Sequence, residues 1–236
     1  MTEAIQNLDA SVFLFFNSFH NDFFDNFMSL YSGRFIWIPT YAALLIVMLR
    51  RYSWPKVLCL LVGIALSITL ADQICASLIR PVFERLRPSN LDNPLSAFTH
   101  IVNGYRGGAY GFPSCHAANS FALAVFSAAM LRQRSFTLFV LAWAAVNCYS
   151  RVYLGVHYPG DLLVGAIVGS LVGYICCLAS TTVFNRFFST TESGRSVPLL
   201  ANAPTITWLR KFNLMEIVAI ITIIYIIIAS AVYHQL

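Results

Sequence analysis

Three short stretches of the chain carry residue types suited to a phosphate group. Arg80 is followed seven residues later by Arg87-Pro88, Pro113-Ser114-Cys115-His116 comes next, and Ser150-Arg151 precedes His157 and Asp161. Arginine's planar guanidinium matches phosphate oxygens two at a time. Arg80, Arg87 and Arg151 together could therefore neutralise the charge that phosphoryl transfer spreads over those oxygens. Ser114 precedes an apolar run, which puts its hydroxyl and the following amides at a helix N-terminus, where unpaired N–H groups favour an anion. The same serine can equally serve as a plain N-cap. His157 has a carboxylate four residues on, one turn away if a helix begins near Pro159, and such a carboxylate can fix the ring's tautomer.

In order and spacing these stretches resemble the type 2 phosphatidic acid phosphatase superfamily. That family's pattern reads Lys, six residues, Arg-Pro; then Pro-Ser-Gly-His; then Ser-Arg, five residues, His, three residues, Asp. The third stretch matches in full, from Ser150-Arg151 through His157 to Asp161. The resemblance implies that His157 attacks phosphorus to give a phosphohistidine that water later hydrolyses, that Asp161 aims it, and that His116 protonates the leaving oxygen. It assigns Arg80, Arg87, Ser114, Cys115 and Arg151 to phosphate binding, with no cofactor and no metal. Two positions depart from the pattern. Arg80 stands where lysine is usual, which keeps the charge but widens the donor fork. Cys115 replaces a glycine, which strains the chain only if that position needs a positive φ; a catalytic thiol is the other reading of it.

These residues must be held by a membrane protein. Of 236 residues, 58% are hydrophobic and 11% charged, and the mean hydropathy is +0.69, a balance that no soluble core of this size could hide. Uncharged apolar runs predict six spans: 34–49, 56–79, 114–131, 135–155, 159–182 and 214–233. Residues 11–31, with Val12, Phe16, Phe19, Phe23 and Phe27 spaced by three and four among polar neighbours, predict an aromatic helix lying along the interface. The expected fold is a single all-α domain over 1–236, a polytopic bundle of about six transmembrane helices. Residues 1–33 form its interfacial N-terminal segment, 80–161 the catalytic region, 183–213 a cytoplasmic linker and 214–233 the last span.

Orientation follows from the basic loops. Six spans put Arg50, Arg51 and Lys56, then Arg132 and Arg134, then Arg186, Arg195, Arg210 and Lys211 on one side, which should be cytoplasmic. The other side receives residues 1–33, 80–113 and 151–158. On this reading the catalytic stretches face the periplasm, or the outside, from a bacterial inner membrane. The net charge of +5 has no basic run interleaved with aromatics to suggest nucleic acid. Cys59, Cys75, Cys148, Cys176 and Cys177 fall in apolar segments and read as packing residues. The first residues are acidic, so no cleavable leader is expected. Arg85 and Arg106 read as snorkelling interfacial side chains, and His20, His100 and His234 as structural histidines. Asp72, in the second span, is left between a functional buried acid and a structural one that pairs with an arginine or makes a polar helix contact.

The partners this implies are the bilayer and a phosphorylated lipid. The resemblance offers undecaprenyl pyrophosphate, lipid A phosphates, phosphatidylglycerol phosphate and phosphatidic acid. The aromatic loop with Tyr105, Tyr110 and Phe112 favours the bulky headgroup of lipid A, or undecaprenyl pyrophosphate. A phosphotransferase using the same site and a non-enzymatic lipid transporter that retains the anion pocket are the competing readings.

Overall fold

The computed structural model describes residues 3–188 and 214–233. The chain builds α1 (Glu3–Asn17), α2 (Asp22–Tyr31), α3 (Ile38–Arg51), α4 (Trp54–Gln73), α5 (Arg80–Phe83), α6 (Cys115–Leu131), α7 (Arg134–Tyr153), α8 (Pro159–Phe187) and α9 (Leu214–Tyr233). Each of the six expected spans coincides with one of these helices, within a few residues at the ends. By length and hydropathy alone, Trp54–Phe83, α8 and Leu214–Val232 can cross a membrane, and α2 with the chain Phe35–Arg51 makes a fourth candidate, bent by 67°. α6 is apolar but only 17 residues long. α6 and α7 bring polar site residues to their ends, which shortens the apolar stretch each can offer.

Three boundaries differ from the expectation. The aromatic segment 11–31 is two helices, because Asn21 adopts an extended backbone and its side chain accepts from Phe24 N at 2.9 Å, capping a new start. The segment 80–113 begins with the helical residues Arg80–Phe83, carried there by a π-helical stretch, Ile74–Ile79, that continues α4. α8 runs to Phe187, so residues 183–187 of the expected linker are helical. Residues 189–213 and His234 lie outside the described residues.

The centre of the bundle is the α6–α8 pair, which runs parallel with both N-termini at one end. Gly165, Gly169 and Gly173 of α8 face Ser114, Ala118 and Ala122 of α6 so closely that a Cβ on them would lie 2.4, 2.1 and 2.4 Å from those three carbonyl oxygens. Small residues at four-residue spacing let the two backbones touch, the usual way helices adhere where lipid removes the hydrophobic drive. This contact fixes the register: Ser114 N donates to the Asp161 carbonyl at 3.0 Å, so the two helix starts are tied together. At the other end, Arg51, Lys56 and Arg132 surround a single cavity. The first two basic loops thus share one end of the molecule, away from the helix starts at Ser114 and Pro159.

Candidate active site

Each catalytic stretch is positioned by its own local device. The i→i+5 geometry of the π stretch inserts an extra residue per turn just before Arg80, and such bulges commonly re-aim a side chain at a functional site. Arg80 Nη2 donates to the Pro113 carbonyl and contacts Cys115 Sγ, each at 3.0 Å. Cys115 is the first residue of α6 and follows the N-cap Ser114. Its backbone is helical, so the glycine usual there is not needed for its φ. Its thiol lies beside Arg80 and 3.9 Å from the Asp72 carbonyl. Ser114 is buried and acts as the N-cap, its Oγ accepting from Ala117 N at 3.4 Å.

Arg87 sits on a loop that folds back on itself: Arg87 N donates to Ala109 O at 3.1 Å and Gly111 N to Arg85 O at 2.9 Å. Its Nη1 donates to the Val156 carbonyl at 2.9 Å and lies 2.7 Å from His157 Nε2. On the ring's other side, Nδ1 is 3.4 Å from Asp161 Oδ2. Arginine only donates, whereas a carboxylate only accepts. Nδ1 therefore carries the ring proton and Nε2 keeps its lone pair, an assignment made from the partners. His157 is almost wholly buried. That burial first, and then the charges of Arg87, Arg151 and Arg80, hold it well below the usual histidine pKa, so the ring is neutral. Burial, with Arg80 and Arg151 nearby, also pushes the Arg87 guanidinium down to about 10.

Asp161 serves three donors. Oδ2 takes Tyr158 N at 3.0 Å as well as the ring, and Oδ1 takes Arg85 Nη1 at 3.0 Å. Arg85 is therefore no snorkelling side chain. It bridges Asp161 to Asp9 of α1, 2.6 Å from Oδ2, and its guanidinium lies 3.7 Å above the centre of the Tyr158 ring. The other Asp9 oxygen takes Gly160 N at 2.8 Å, an approach open only because residue 160 is glycine. Arg106 likewise pins its loop, donating to Ser89 O at 2.6 Å. His100 is structural: it pairs with Asp25 at 2.9 Å and stacks on His20 with ring centres 3.8 Å apart.

Of the residues expected in the site, the structure gathers all eight at one end of the bundle. Arg151 is buried at the C-terminus of α7 and touches Tyr105. The Nε atoms of Arg80, Arg87 and Arg151 are all buried with no hydrogen-bond partner among the described residues. Three neighbouring cations, each with a donor left over, can hold an anion through charge and hydrogen bonds together. His116 opens onto a cavity of about 660 Å³ that also exposes Arg80, Arg34 and Asp72 before becoming apolar along Leu44, Met48, Leu61 and Ile64. Asp72 takes the polar-contact role, its Oδ1 accepting from Asn119 Nδ2 at 3.1 Å. Asp9, Arg85 and Gly111 were not read as site residues from the sequence. Arg85 stood two residues before Arg87, and Gly111 two before Pro113, but no local signal marks Asp9. A Cβ on Gly111 would lie 3.1 Å from both Arg87 Cγ and Asp161 Oδ2, so the space there is part of the site.

Known proteins resemble this chain in sequence and in fold. The chain is 50% identical over 175 residues to the Lipid A 4'-phosphatase of Bacteroides thetaiotaomicron, covering 74% of this chain and 78% of that one. It is 32% identical to the Lipid A 4'-phosphatase of Porphyromonas gingivalis, over 73% and 72%, and 29% identical to the Undecaprenyl-diphosphatase of Sulfolobus acidocaldarius, over 66% and 69%. Its fold is shared by a PAP2 type phosphatidylglycerolphosphate phosphatase from Bacillus subtilis, with a TM-score of 0.58 at 20% identity over 79% of this chain and 90% of that one. Aquifex aeolicus LpxE gives 0.51 at 23% identity, over 73% and 93%. Residues 56–185, which contain all three of the Arg80–Arg87, Pro113–His116 and Ser150–Asp161 stretches, match the PAP2 superfamily, and the chain belongs to that family of membrane phosphatases.

Proposed function

We propose that the protein removes the 4'-phosphate of lipid A, or of a closely related phosphorylated glycolipid, through a phosphohistidine on His157 at the extracytoplasmic face. The observation that carries the reaction is the set of three arginines, each with a buried and unpartnered Nε–H, around a neutral His157 whose Nε2 bears the lone pair and faces Arg87. The relatives named as lipid A phosphatases support the substrate. The gathering of basic residues at the opposite end supports the orientation.

In this mechanism Arg80, Arg87 and Arg151 bind the phosphate oxygens, with the α6 N-terminus and the Ser114 hydroxyl behind them. Arg87 trades its contact with Nε2 for a phosphate oxygen, which uncovers the nucleophile. Nε2 forms a bond to phosphorus as the bond to the lipid oxygen breaks, and His116, facing the cavity, gives that oxygen its proton. Asp161 stabilises the charge that develops on the ring. Water, deprotonated by His116, then attacks phosphorus, breaks the N–P bond and releases inorganic phosphate. The test is phosphate release from purified lipid A and from undecaprenyl pyrophosphate in EDTA. Turnover of lipid A by the wild type, abolished in His157→Ala, is the expected result; wild-type turnover by His157→Ala would exclude the mechanism.

A further inference from the structure

The wall of the cavity onto which Arg80 and His116 open holds a second polar layer that the phosphate chemistry does not use. Along α7, Trp143, Asn147 and Arg151 recur every four residues, one above the other on a single face. Along α6, Asn119 follows His116 by three. Because α7 ends and α6 begins at the catalytic end, Asn147 and Asn119 each lie one helical turn, about 5 Å, deeper into the bundle than Arg151 and His116. All of Trp143, Asn147, Asn119 and His116 line the cavity. Trp143 and Asn147 are more than nine-tenths buried.

The polar atoms of this layer are unpartnered. Trp143 Nε1, Asn147 Nδ2 and Asn119 Oδ1 are buried and make no hydrogen bond among the described residues. The Asn119 amide is assigned by Asp72, whose carboxylate accepts from Nδ2 and leaves Oδ1 as the unpartnered acceptor of a residue that lines the cavity. Leaving two donors and an acceptor unpaired inside a membrane bundle is costly, and such groups are retained where a ligand satisfies them. Beyond them the cavity is lined by Leu61 and Ile64 and is apolar.

We infer that Trp143, Asn147 and Asn119 form a headgroup subsite, one turn below the phosphate, that binds the hydroxyl and acyl-amide groups of a phosphorylated amino-sugar lipid. The inference rests on the glycolipid-phosphatase reading and sharpens it. The two donors meet carbonyl or hydroxyl oxygens, and Asn119 Oδ1 accepts from a hydroxyl or amide N–H. A polyprenyl or simple alkyl chain has none of these groups and leaves all three atoms unpaired, so the layer selects against such lipids.

The test measures binding where turnover is silenced, in His157→Ala, comparing a phosphorylated glucosamine lipid with an alkyl phosphate of similar chain length. The glycolipid should bind at least tenfold more tightly, and adding Asn147→Leu or Trp143→Phe should each remove about tenfold of that preference while leaving the alkyl phosphate affinity within threefold. Equal affinity of His157→Ala for the two lipids, a comparison that needs no further substitution, overturns the subsite. So does a preference that survives both substitutions in variants eluting as folded, monodisperse protein. Failure of the wild type to release phosphate from the glycolipid would overturn the functional reading instead, and is scored separately from binding.

Discussion

Asp161→Asn tests the carboxylate at the heart of the site. Two oxygens there serve three donors: Tyr158 N at 3.0 Å and His157 Nδ1 at 3.4 Å on one, Arg85 Nη1 at 3.0 Å on the other. An amide has one oxygen and must present its NH2 to somebody. If the oxygen faces the histidine, the NH2 meets Arg85, which keeps Asp9 at 2.6 Å; His157 keeps its tautomer but loses a charged acceptor. Losing a hydrogen bond to a charged group costs about 1.5–3 kcal/mol, or roughly ten- to a hundredfold in rate. If the NH2 faces the histidine, the ring must accept at Nδ1 and carry its proton on Nε2, which removes the attacking lone pair. The equivalent exchange in serine protease triads costs about 10⁴-fold. We therefore expect kcat for phosphate release in detergent micelles to fall by between about tenfold and about 10⁴-fold, with KM altered less than about threefold. A variant with unchanged melting temperature and kcat within threefold of wild type would refute the pairing of Asp161 with His157.

Further outcomes follow from the same geometry. Asp9→Asn should lower kcat about tenfold and stability by about 1–2 kcal/mol, since it weakens the clasp on Arg85 that it shares with Asp161, a pair still partly reached by solvent; wild-type kcat and melting temperature would show that the clasp is idle. His157 is held below its ordinary value of 6.5 when folded, so its contribution to stability is present above that pH and lost as pH falls beneath it. Wild type should lose about 2 kcal/mol more than His157→Gln between pH 7 and pH 5, read by thermal unfolding, and parallel acid limbs would contradict this. Gly169→Ala should destabilise by about 1–3 kcal/mol because its Cβ would meet the Ala118 carbonyl at 2.1 Å, whereas Gly108→Ala, with open space around it, should unfold like wild type.

The helices were legible because hydrophobic run length is set by local composition, and all six apolar runs became helices. The candidate site was legible as a group because its residues lie in compact stretches whose spacing survives in sequence, and the fold brings those stretches to one end. What escaped was tertiary. Arg85 looked like an interfacial arginine until α1 brought Asp9 to its other side. The break at Asn21 turned on one side-chain cap within an otherwise continuous aromatic pattern. The intimate α6–α8 contact needed two helices to be placed in register before the glycines of one could be seen to face the carbonyls of the other. Asp72 could be resolved only once Asn119 lay opposite it.

The central claim is that His157 carries the phosphoryl group between lipid and water. Phosphohistidine survives alkali, so turnover quenched in alkali and digested for mass spectrometry tests it directly. A phosphoryl group is expected on the peptide bearing His157, on the ring nitrogen Nε2, accumulating in His116→Ala if the second step slows and absent in His157→Ala. A phosphoryl group on Cys115 or any other residue, or phosphate release by His157→Ala at the wild-type rate, would contradict it.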